Sequence, residues 1–183
     1  MSMNDTPQRG FTLVETMVAI AILTTSIVGP MYVLQQGVIG SYTARDRLIA
    51  SGLAQEGVEF VHSLRDGNYL YNIAHPSTPR SWFYGMDGTG STADCMSGSA
   101  CAIDVYYNTI TLCSGTCTPL RLSSTGLYNQ NAVSSGNVAT RFTRSLKLVP
   151  VNDHEVQVSV VVSWTTGLKS YNVTVSEDLQ NWL

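Results

Sequence analysis

The chain has 183 residues, which is enough for one domain with a hydrophobic core and one additional element. Charged residues make up only 13%, about half the share of a typical soluble protein, and the net charge is −3. The sequence has no run of Lys and Arg, and phosphate binding needs concentrated positive charge, so composition gives no strong nucleic-acid signal.

The N-terminus joins a short polar stretch to a long apolar one. Residues 1–10 (MSMNDTPQRG) end in Arg9-Gly10, and residues 11–34 (FTLVETMVAIAILTTSIVGPMYVL) contain a single charged residue, Glu15. A helix over 11–34 would reach about 36 Å, whereas the core of a bilayer is about 30 Å thick. The segment is therefore long enough to span a membrane, and it exceeds the roughly 7–15 apolar residues of a secretory signal peptide.

A helical period continues beyond the apolar segment. Small and apolar residues recur at i, i+3, i+4 and i+7 from Ala50 to Leu64, which indicates the buried face of an amphipathic helix. Gly29-Pro30 is expected to kink or loosen the helix, and Asp66-Gly67-Asn68 is expected to end it. The sequence therefore predicts one long N-terminal helix over about 11–65, with an amphipathic half at 36–65.

The C-terminal half has the period of a β-sheet. A Gly-rich loop over 67–100 contains aromatic residues, which predict that it packs down onto the domain. Alternating side chains and turns at Asn152-Asp153 and Thr166-Gly167 then predict an antiparallel meander within a sheet over 101–176. The candidate strands are Cys101–Tyr107, Thr109–Leu112, Leu120–Ser123 with Leu127-Tyr128, Arg141–Val149, Glu155–Trp164 and Lys169–Val175. Together the elements predict an α+β fold in which one helix packs on an antiparallel sheet.

Four cysteines lie close together in the C-terminal half. The simplest pairing is Cys95–Cys101 with Cys113–Cys117, although four cysteines allow three connectivities. A zinc site is the rival interpretation, but only the second of these pairs has the C-x2–4-C spacing of a zinc ribbon. The histidines are scattered and no G-x-S-x-G nucleophile elbow occurs, so we expect no metal, no cofactor and no catalytic residue.

The string Gly10-Phe11-Thr12-Leu13-Val14-Glu15, followed by about twenty apolar residues, closely resembles the leader junction of type IV pilins and type II secretion pseudopilins. The resemblance implies that a prepilin peptidase cuts between Gly10 and Phe11 and that Phe11 is then N-methylated. It also implies a leader at 1–10, a transmembrane or filament-core segment at 11–35, and an extracytoplasmic globular domain at 36–183.

Glu15 is an ionisable residue inside an otherwise apolar segment. Such a group costs at least about 2.5–3.5 kcal/mol at the centre of a bilayer and marks function by default. A carboxylate in a low-dielectric environment needs a cationic partner, and cleavage would create an ammonium on Phe11. The resemblance implies that Glu15 engages the N-terminus of an adjacent subunit during assembly. The rival interpretation is a single-pass anchor with an incidental acid, which leaves the Gly10-Phe11 junction unexplained.

The resemblance implies a structural subunit of a type IV pilus or a type II secretion-like pseudopilus. The segment Arg141–Arg144, followed by alternating valines up to Trp164, is similar to minor pilins and favours an accessory subunit. Implied partners are the prepilin peptidase, other pilin or pseudopilin subunits and an inner-membrane assembly platform. Implied locations are the inner membrane, with the C-terminal domain outside the cytoplasm, and then a periplasmic or cell-surface filament.

Two alternatives stay open on sequence alone. One is a pilin-like subunit whose exposed loops bind DNA or a surface during uptake or adhesion. The other is a membrane-anchored β-domain that never polymerises. The mature N-terminus distinguishes the last alternative from the others, because only a pilin-like chain starts at methylated Phe11.

Overall fold

The computed structural model describes residues 10–90, 93–130 and 136–181. The chain divides into two units, one up to Arg45 and one from Asp46 onwards. One helix, α1, is followed by seven strands. Their bounds are α1 Leu13–Ala74, β1 Cys101–Asp104, β2 Thr109–Leu112, β3 Pro119–Leu122, β4 Tyr128–Asn129, β5 Val138–Asn152, β6 Glu155–Thr166 and β7 Lys169–Gln180.

The seven strands form one sheet in which every neighbouring pair is antiparallel. Strands β5, β6 and β7 form the predicted meander, and β6 lies between the other two. The opposite edge of β5 pairs with two hairpins: β1–β2 through Leu146, and β3–β4 along Val138–Thr143. The predicted α+β layout, a long N-terminal helix on a C-terminal antiparallel sheet, is confirmed.

The predicted apolar face of α1 is the face that packs on the sheet. Six of its seven predicted members are buried and the last, Leu64, is half-buried. The buried members are Ala50, Leu53, Ala54, Gly57, Val58 and Val61. On β6, the alternate residues from Val156 to Trp164 are buried beneath them, as the period of two predicted. Helix and sheet therefore share one hydrophobic core in the unit that begins at Asp46.

Gly57 marks the closest approach of α1 to the sheet. A Cβ atom built on Gly57 would lie 2.9 Å from Cγ1 of Val160 and 3.2 Å from Cδ1 of Ile103. Real Cβ atoms almost never approach another heavy atom so closely, because dense interiors leave no space for an extra methyl group. The absence of a side chain at Gly57 thus sets how near the helix lies to β6 and β1.

The bounds of α1 differ from the prediction at both ends. The helix begins at Leu13 rather than 11, and it continues through Asp66-Gly67-Asn68 to Ala74, so the predicted stop was wrong. Asn68 explains the extension, because its buried side chain donates hydrogen bonds to the carbonyl oxygens of Trp82 and Tyr84 at 3.2 and 3.1 Å. These contacts with a distant loop outweigh the local turn preference. Helical structure is also continuous across Gly29-Pro30.

The loop that follows α1 packs down onto the domain, as its aromatic residues predicted. Phe83 is fully buried, and the Arg80 guanidinium lies over the rings of Tyr71 and Tyr84, 3.5 and 4.4 Å from their centroids. The side-chain amide of Asn72 bonds both the N–H and the carbonyl of Arg80. The last turns of α1 therefore hold this loop by side-chain amides and ring stacking.

The structure contains two disulfides, Cys95–Cys101 and Cys113–Cys117, with Cα–Cα distances of 5.6 and 4.8 Å. They are the pairs that the sequence spacing favoured. The first is fully buried and ties the loop to the start of β1, while the Leu148 N–H donates to the Cys95 carbonyl at 3.1 Å. The second closes a short loop between β2 and β3.

Arg144 is a fully buried cation that joins three elements of the core. From β5, its Nη1 donates to the Leu53 carbonyl and to the Glu56 carboxylate of α1, and its Nη2 donates to the Ile103 carbonyl of β1. A buried guanidinium is costly unless its donors and its charge are both compensated. Here two backbone carbonyls and one half-exposed carboxylate compensate Nη1, Nη2 and the charge, whereas the buried Nε has no hydrogen-bond partner.

Asp46 is the second buried ionic group. Its Oδ2 lies 3.1 Å from Nη1 of Arg141, whose side chain is 48% exposed. The contact neutralises the charge of Asp46, and we regard it as an ion pair. It lacks the geometry of a hydrogen bond, so Oδ2 remains a buried acceptor without a hydrogen-bond partner. The same Nη1 donates to Oγ1 of Thr166 at 3.4 Å, so Arg141 links the first residue of this unit to the end of β6.

Candidate processing and assembly site

The Gly10-Phe11 bond lies in exposed, non-helical backbone just before α1. Gly10 and Phe11 have no regular secondary structure, and the Phe11 side chain is 83% exposed. Exposed backbone outside helices and strands is the usual substrate of proteases. The leader expected at 1–10 lies outside the described residues, apart from Gly10.

Thr12 caps the helix that follows. Its Oγ1 accepts a hydrogen bond from the Glu15 N–H at 3.2 Å, and its carbonyl accepts the first helical bond from the Thr16 N–H, also at 3.2 Å. The residue order Thr-x-x-Glu is that of a capping box, in which the cap residue satisfies one of the unpaired N–H groups of the first turn. Sequence analysis missed this role for Thr12, although the spacing from Thr12 to Glu15 would have indicated it.

Glu15 lies in the first turn of α1, where its side chain is exposed. The helix N-terminus carries partial positive charge and favours an acidic side chain there. Since α1 begins at Leu13, Phe11 lies before the helix and before its cap. Phe11 and Glu15 are four residues apart in sequence, but no helical turn joins them.

The apolar segment has no internal partner in the unit that ends at Arg45. Every residue from Gly10 to Tyr42 is exposed, including all the large apolar side chains. Among the described residues, α1 is the one helix long and apolar enough to cross a membrane, a test that signal sequences and core helices also pass. A continuous apolar surface of this length is not stable in water and requires lipid or other apolar helices around it.

The hydroxyl groups in this segment are satisfied within the helix. Thr24 donates to the Ala21 carbonyl at 3.0 Å, Ser26 donates to the Ile22 carbonyl at 2.7 Å, and Thr16 donates to the Leu13 carbonyl at 2.8 Å. Hydroxyl groups bonded back to their own helix carry little cost in an apolar environment. Glu15 is the one side chain between Phe11 and Gln36 that is charged at neutral pH, and it has no cationic neighbour in that stretch of sequence.

A family profile, the prokaryotic N-terminal methylation motif, matches residues 5–29. The chain carries the type IV pilin and pseudopilin signature. The match covers the Gly10-Phe11 junction, the cap and Glu15, and it supports a pilin-like or pseudopilin precursor from a structural family. The methylation motif implies processing by a prepilin peptidase and assembly with other pilins, and it fits a membrane-anchored chain. No curated protein and no solved structure matches the chain.

The described part of the C-terminal unit shows no cluster of side chains that would bind a metal ion. Within residues 10–90, 93–130 and 136–181, no group of three or more His, Cys, Asp or Glu side chains is placed to hold one. All four cysteines are in disulfides, which removes the thiolate ligands that the rival zinc site would need. His62 instead contacts Glu177 on β7 at 3.2 Å.

Proposed function

We propose that this chain is a minor structural subunit of a type IV pilus or a type II secretion-like pseudopilus, assembled after cleavage between Gly10 and Phe11. One observation carries the proposal. The methylation motif leads directly into a capped helix whose exposed apolar surface contains a single acid, in the first turn. The chain's role is to polymerise, and we propose no catalysis by its own residues.

Processing would follow from the geometry around the junction. The prepilin peptidase would reach the Gly10-Phe11 bond because it precedes the helix and its cap. Cleavage would remove the leader and leave an ammonium on Phe11, which the same enzyme would N-methylate. Methylation keeps the positive charge, so the new terminus remains a partner for a carboxylate.

Glu15 would fix the axial position of one subunit against the next. The Glu15 carboxylate is exposed and has no hydrogen-bond or ion-pair partner among the described residues, so both of its oxygens are available for another group. A carboxylate in an apolar environment requires a cationic partner, and the ammonium of a neighbouring Phe11 supplies it. Such a pair forms at only one axial offset between parallel helices, so it selects the register in which a subunit joins the filament.

In the filament core, the apolar segments of neighbouring subunits would contact one another instead of lipid. The partners would be sister pilin subunits, the peptidase and an inner-membrane assembly platform driven by a cytoplasmic ATPase. Before assembly the chain would span the inner membrane once, with the globular domain outside the cytoplasm. After assembly it would form part of a periplasmic or cell-surface filament.

The minor role is supported by residues of β5 and β6. The segment Arg141–Arg144 and the valines that lead to Trp164 resemble those of accessory subunits. In this structure each of the two arginines forms an ion pair with an acidic residue of α1. Such ion pairs would keep α1 fixed on the sheet while force acts along the helix during assembly.

Glu15→Gln tests the proposal, with Glu59→Gln as the matched control. Both changes remove one carboxylate from an exposed position on α1, but only Glu15 lies in the apolar segment. We expect Glu15→Gln to be cleaved and methylated normally yet to be depleted at least tenfold from isolated filaments, whereas Glu59→Gln enters at the wild-type level. Equal incorporation of the two variants would show that Glu15 has no role in assembly.

A further inference from the structure

The β6–β7 turn lies at the end of the C-terminal unit where the chain enters that unit. Arg141 Nη1 is 3.1 Å from Oδ2 of Asp46, the first residue of the unit, and 3.4 Å from Oγ1 of Thr166, the last residue of β6. Gly167 and Leu168 follow directly and form the turn into β7. The tip of this hairpin is therefore held beside the first helical turn of the unit.

The hairpin tip exposes an apolar side chain that the fold does not need. Leu168 is fully exposed, whereas Gly167, with φ +62°, supplies the backbone conformation that the turn requires. Hairpin turns favour Gly, Asn, Asp and Ser, so turn chemistry does not explain a leucine. On the nearby helical turn, Leu48 is 75% exposed. We call Arg47, Leu48, Arg141, Leu168 and Lys169 the basal surface.

The charged side chains of the basal surface are all cationic. Arg47, Arg141 and Lys169 are exposed, and the one carboxylate among the helical residues 46–49 and the turn residues 164–171 is the buried Asp46. Because Asp46 is paired with Arg141, the net positive charge of the surface is that of Arg47 and Lys169. The other end of β6 is acidic, with Asp153, Glu155, Glu177 and Asp178. These two ends lie about 36 Å apart along the strand. The net charge is −3, so the positive end reflects segregation of charge rather than a basic composition.

We propose that the basal surface docks on the anionic phospholipid headgroups of the membrane that holds the apolar segment. This inference rests on the membrane anchoring in the proposed function. Residues 35–45 separate the two parts of the chain and cannot span more than about 40 Å even when extended. The tether therefore keeps the basal surface at high effective concentration near the bilayer.

The chemistry of the surface matches a phospholipid interface. Anionic headgroups attract juxtamembrane Lys and Arg side chains, and an exposed leucine between them adds apolar area at the boundary between headgroups and acyl chains. Docking would hold an unassembled subunit against the bilayer, and its loss would accompany extraction into a filament. The acidic end would face away from the same lipids.

The test places a fluorescent probe beside the turn. All four native cysteines are paired, so Ser170→Cys introduces one reactive thiol next to Lys169, and Asp153→Cys does so at the acidic end. Each full-length variant is labelled with an environment-sensitive dye and reconstituted into vesicles of phosphatidylcholine alone or of phosphatidylcholine with phosphatidylglycerol. Both kinds of vesicle also contain nitroxide-labelled lipid. Flotation of the vesicles measures anchoring separately.

We expect lipid quenching of the probe at 170 on anionic vesicles, little on neutral ones, and none at 153 on either. Lys169→Glu should lower the ratio of docked to undocked chains by roughly tenfold or more. Adding Leu168→Ser to this variant should lower the ratio further. Lys147→Glu makes the same charge change in mid-strand and should have no effect. If the chain floats with vesicles but the probe at 170 behaves like the probe at 153, docking is wrong and anchoring stands. If the chain does not float, anchoring itself fails.

Two further results would also overturn the inference. Equal quenching on neutral and anionic vesicles would show that charge does not select the lipid. The dye emission could instead shift further as the protein-to-lipid ratio rises, without any quenching by the nitroxide-labelled lipid. That result would show that the basal surface contacts another copy of the chain.

Discussion

Arg144 of β5 and Glu56 of α1 form an ion pair of 2.5 Å, and the guanidinium is fully buried whereas the carboxylate is 41% exposed. The asymmetry means that the two partners are not equivalent for stability. Loss of the carboxylate leaves a fully buried cation with no counter-charge, bonded only to the carbonyls of Leu53 and Ile103. Loss of the cation leaves a carboxylate that is already partly exposed to water.

Glu56→Gln should destabilise the fold more than Arg144→Met. Leaving a buried cation without its counter-charge costs about 3–5 kcal/mol, whereas an apolar side chain of similar length at position 144 removes the buried charge and leaves only a half-exposed carboxylate. Urea unfolding of the full chain in detergent, followed by near-UV circular dichroism of the tryptophans, measures both. A larger loss in Arg144→Met than in Glu56→Gln would contradict the role assigned to the counter-charge.

Gly57→Ala and Gly52→Ala should change stability in opposite directions. Alanine is favoured over glycine in a helix by about 1 kcal/mol, and a Cβ at Gly52 meets nothing within 4 Å, so Gly52→Ala should stabilise. A Cβ at Gly57 would collide with Val160, and overpacking costs about 1–3 kcal/mol. The same unfolding assay checks the pair, and Val160→Ala should relieve the Gly57→Ala defect in the double variant. A Gly57→Ala variant that is stabilised as much as Gly52→Ala would mean that helix and sheet lie further apart than described.

The two disulfides should differ in their contribution although their loops are of similar length. Loop closure alone gives each about 2 kcal/mol. Cys95–Cys101 is also part of the hydrophobic core, whereas Cys113 is only half-buried. Replacing Cys95 and Cys101 by alanine should therefore lower the thermal midpoint more than replacing Cys113 and Cys117. An equal fall in both double variants would show that burial of the first disulfide adds nothing.

The stability of the last turns of α1 should depend on the side-chain amide of Asn68. Asn68→Ala removes two hydrogen bonds to the carbonyls of Trp82 and Tyr84, and leaving buried groups unpaired costs about 1–3 kcal/mol. Hydrogen exchange followed by mass spectrometry should show faster exchange over residues 66–74, while Gln55→Ala, at an exposed position of α1, should not change that region. Unchanged protection in Asn68→Ala would mean that the helix extends to Ala74 for local reasons.

Patterns that repeat along the chain predicted most of the fold. The buried residues of α1 from Ala50 to Val61 and those of β6 from Val156 to Trp164 recur at regular spacing, because one face of each element packs on the same core. Such regular spacing is visible in the sequence. The end of α1 was not predictable in this way. Asp66-Gly67-Asn68 has the composition of a stop, and the contacts that override it come from residues 14 and 16 positions further along the chain.

The ionic contacts inside the domain were also invisible in sequence. The period of two places Arg144 in phase with the apolar residues Phe142, Leu146 and Leu148, and it is buried with them, whereas Arg141 is out of phase and half-exposed. The partners of Arg144 on α1 and β1 lie 41 to 91 residues away and could not be read from the sequence. The candidate processing and assembly site was easier to predict than these ionic contacts, because its residues Gly10 to Glu15 are contiguous and form a recognisable motif. The capping role of Thr12 depends on a spacing of three residues and was visible in the same string.

The mass of the mature N-terminal peptide tests the central claim most directly. The chain would be taken from native membranes and from sheared filaments, digested, and analysed by mass spectrometry. The account predicts that filament material begins at Phe11 and that its amine carries one methyl group. A chain that begins at Met1, or at any residue other than Phe11, and that never appears in the filament fraction would contradict it.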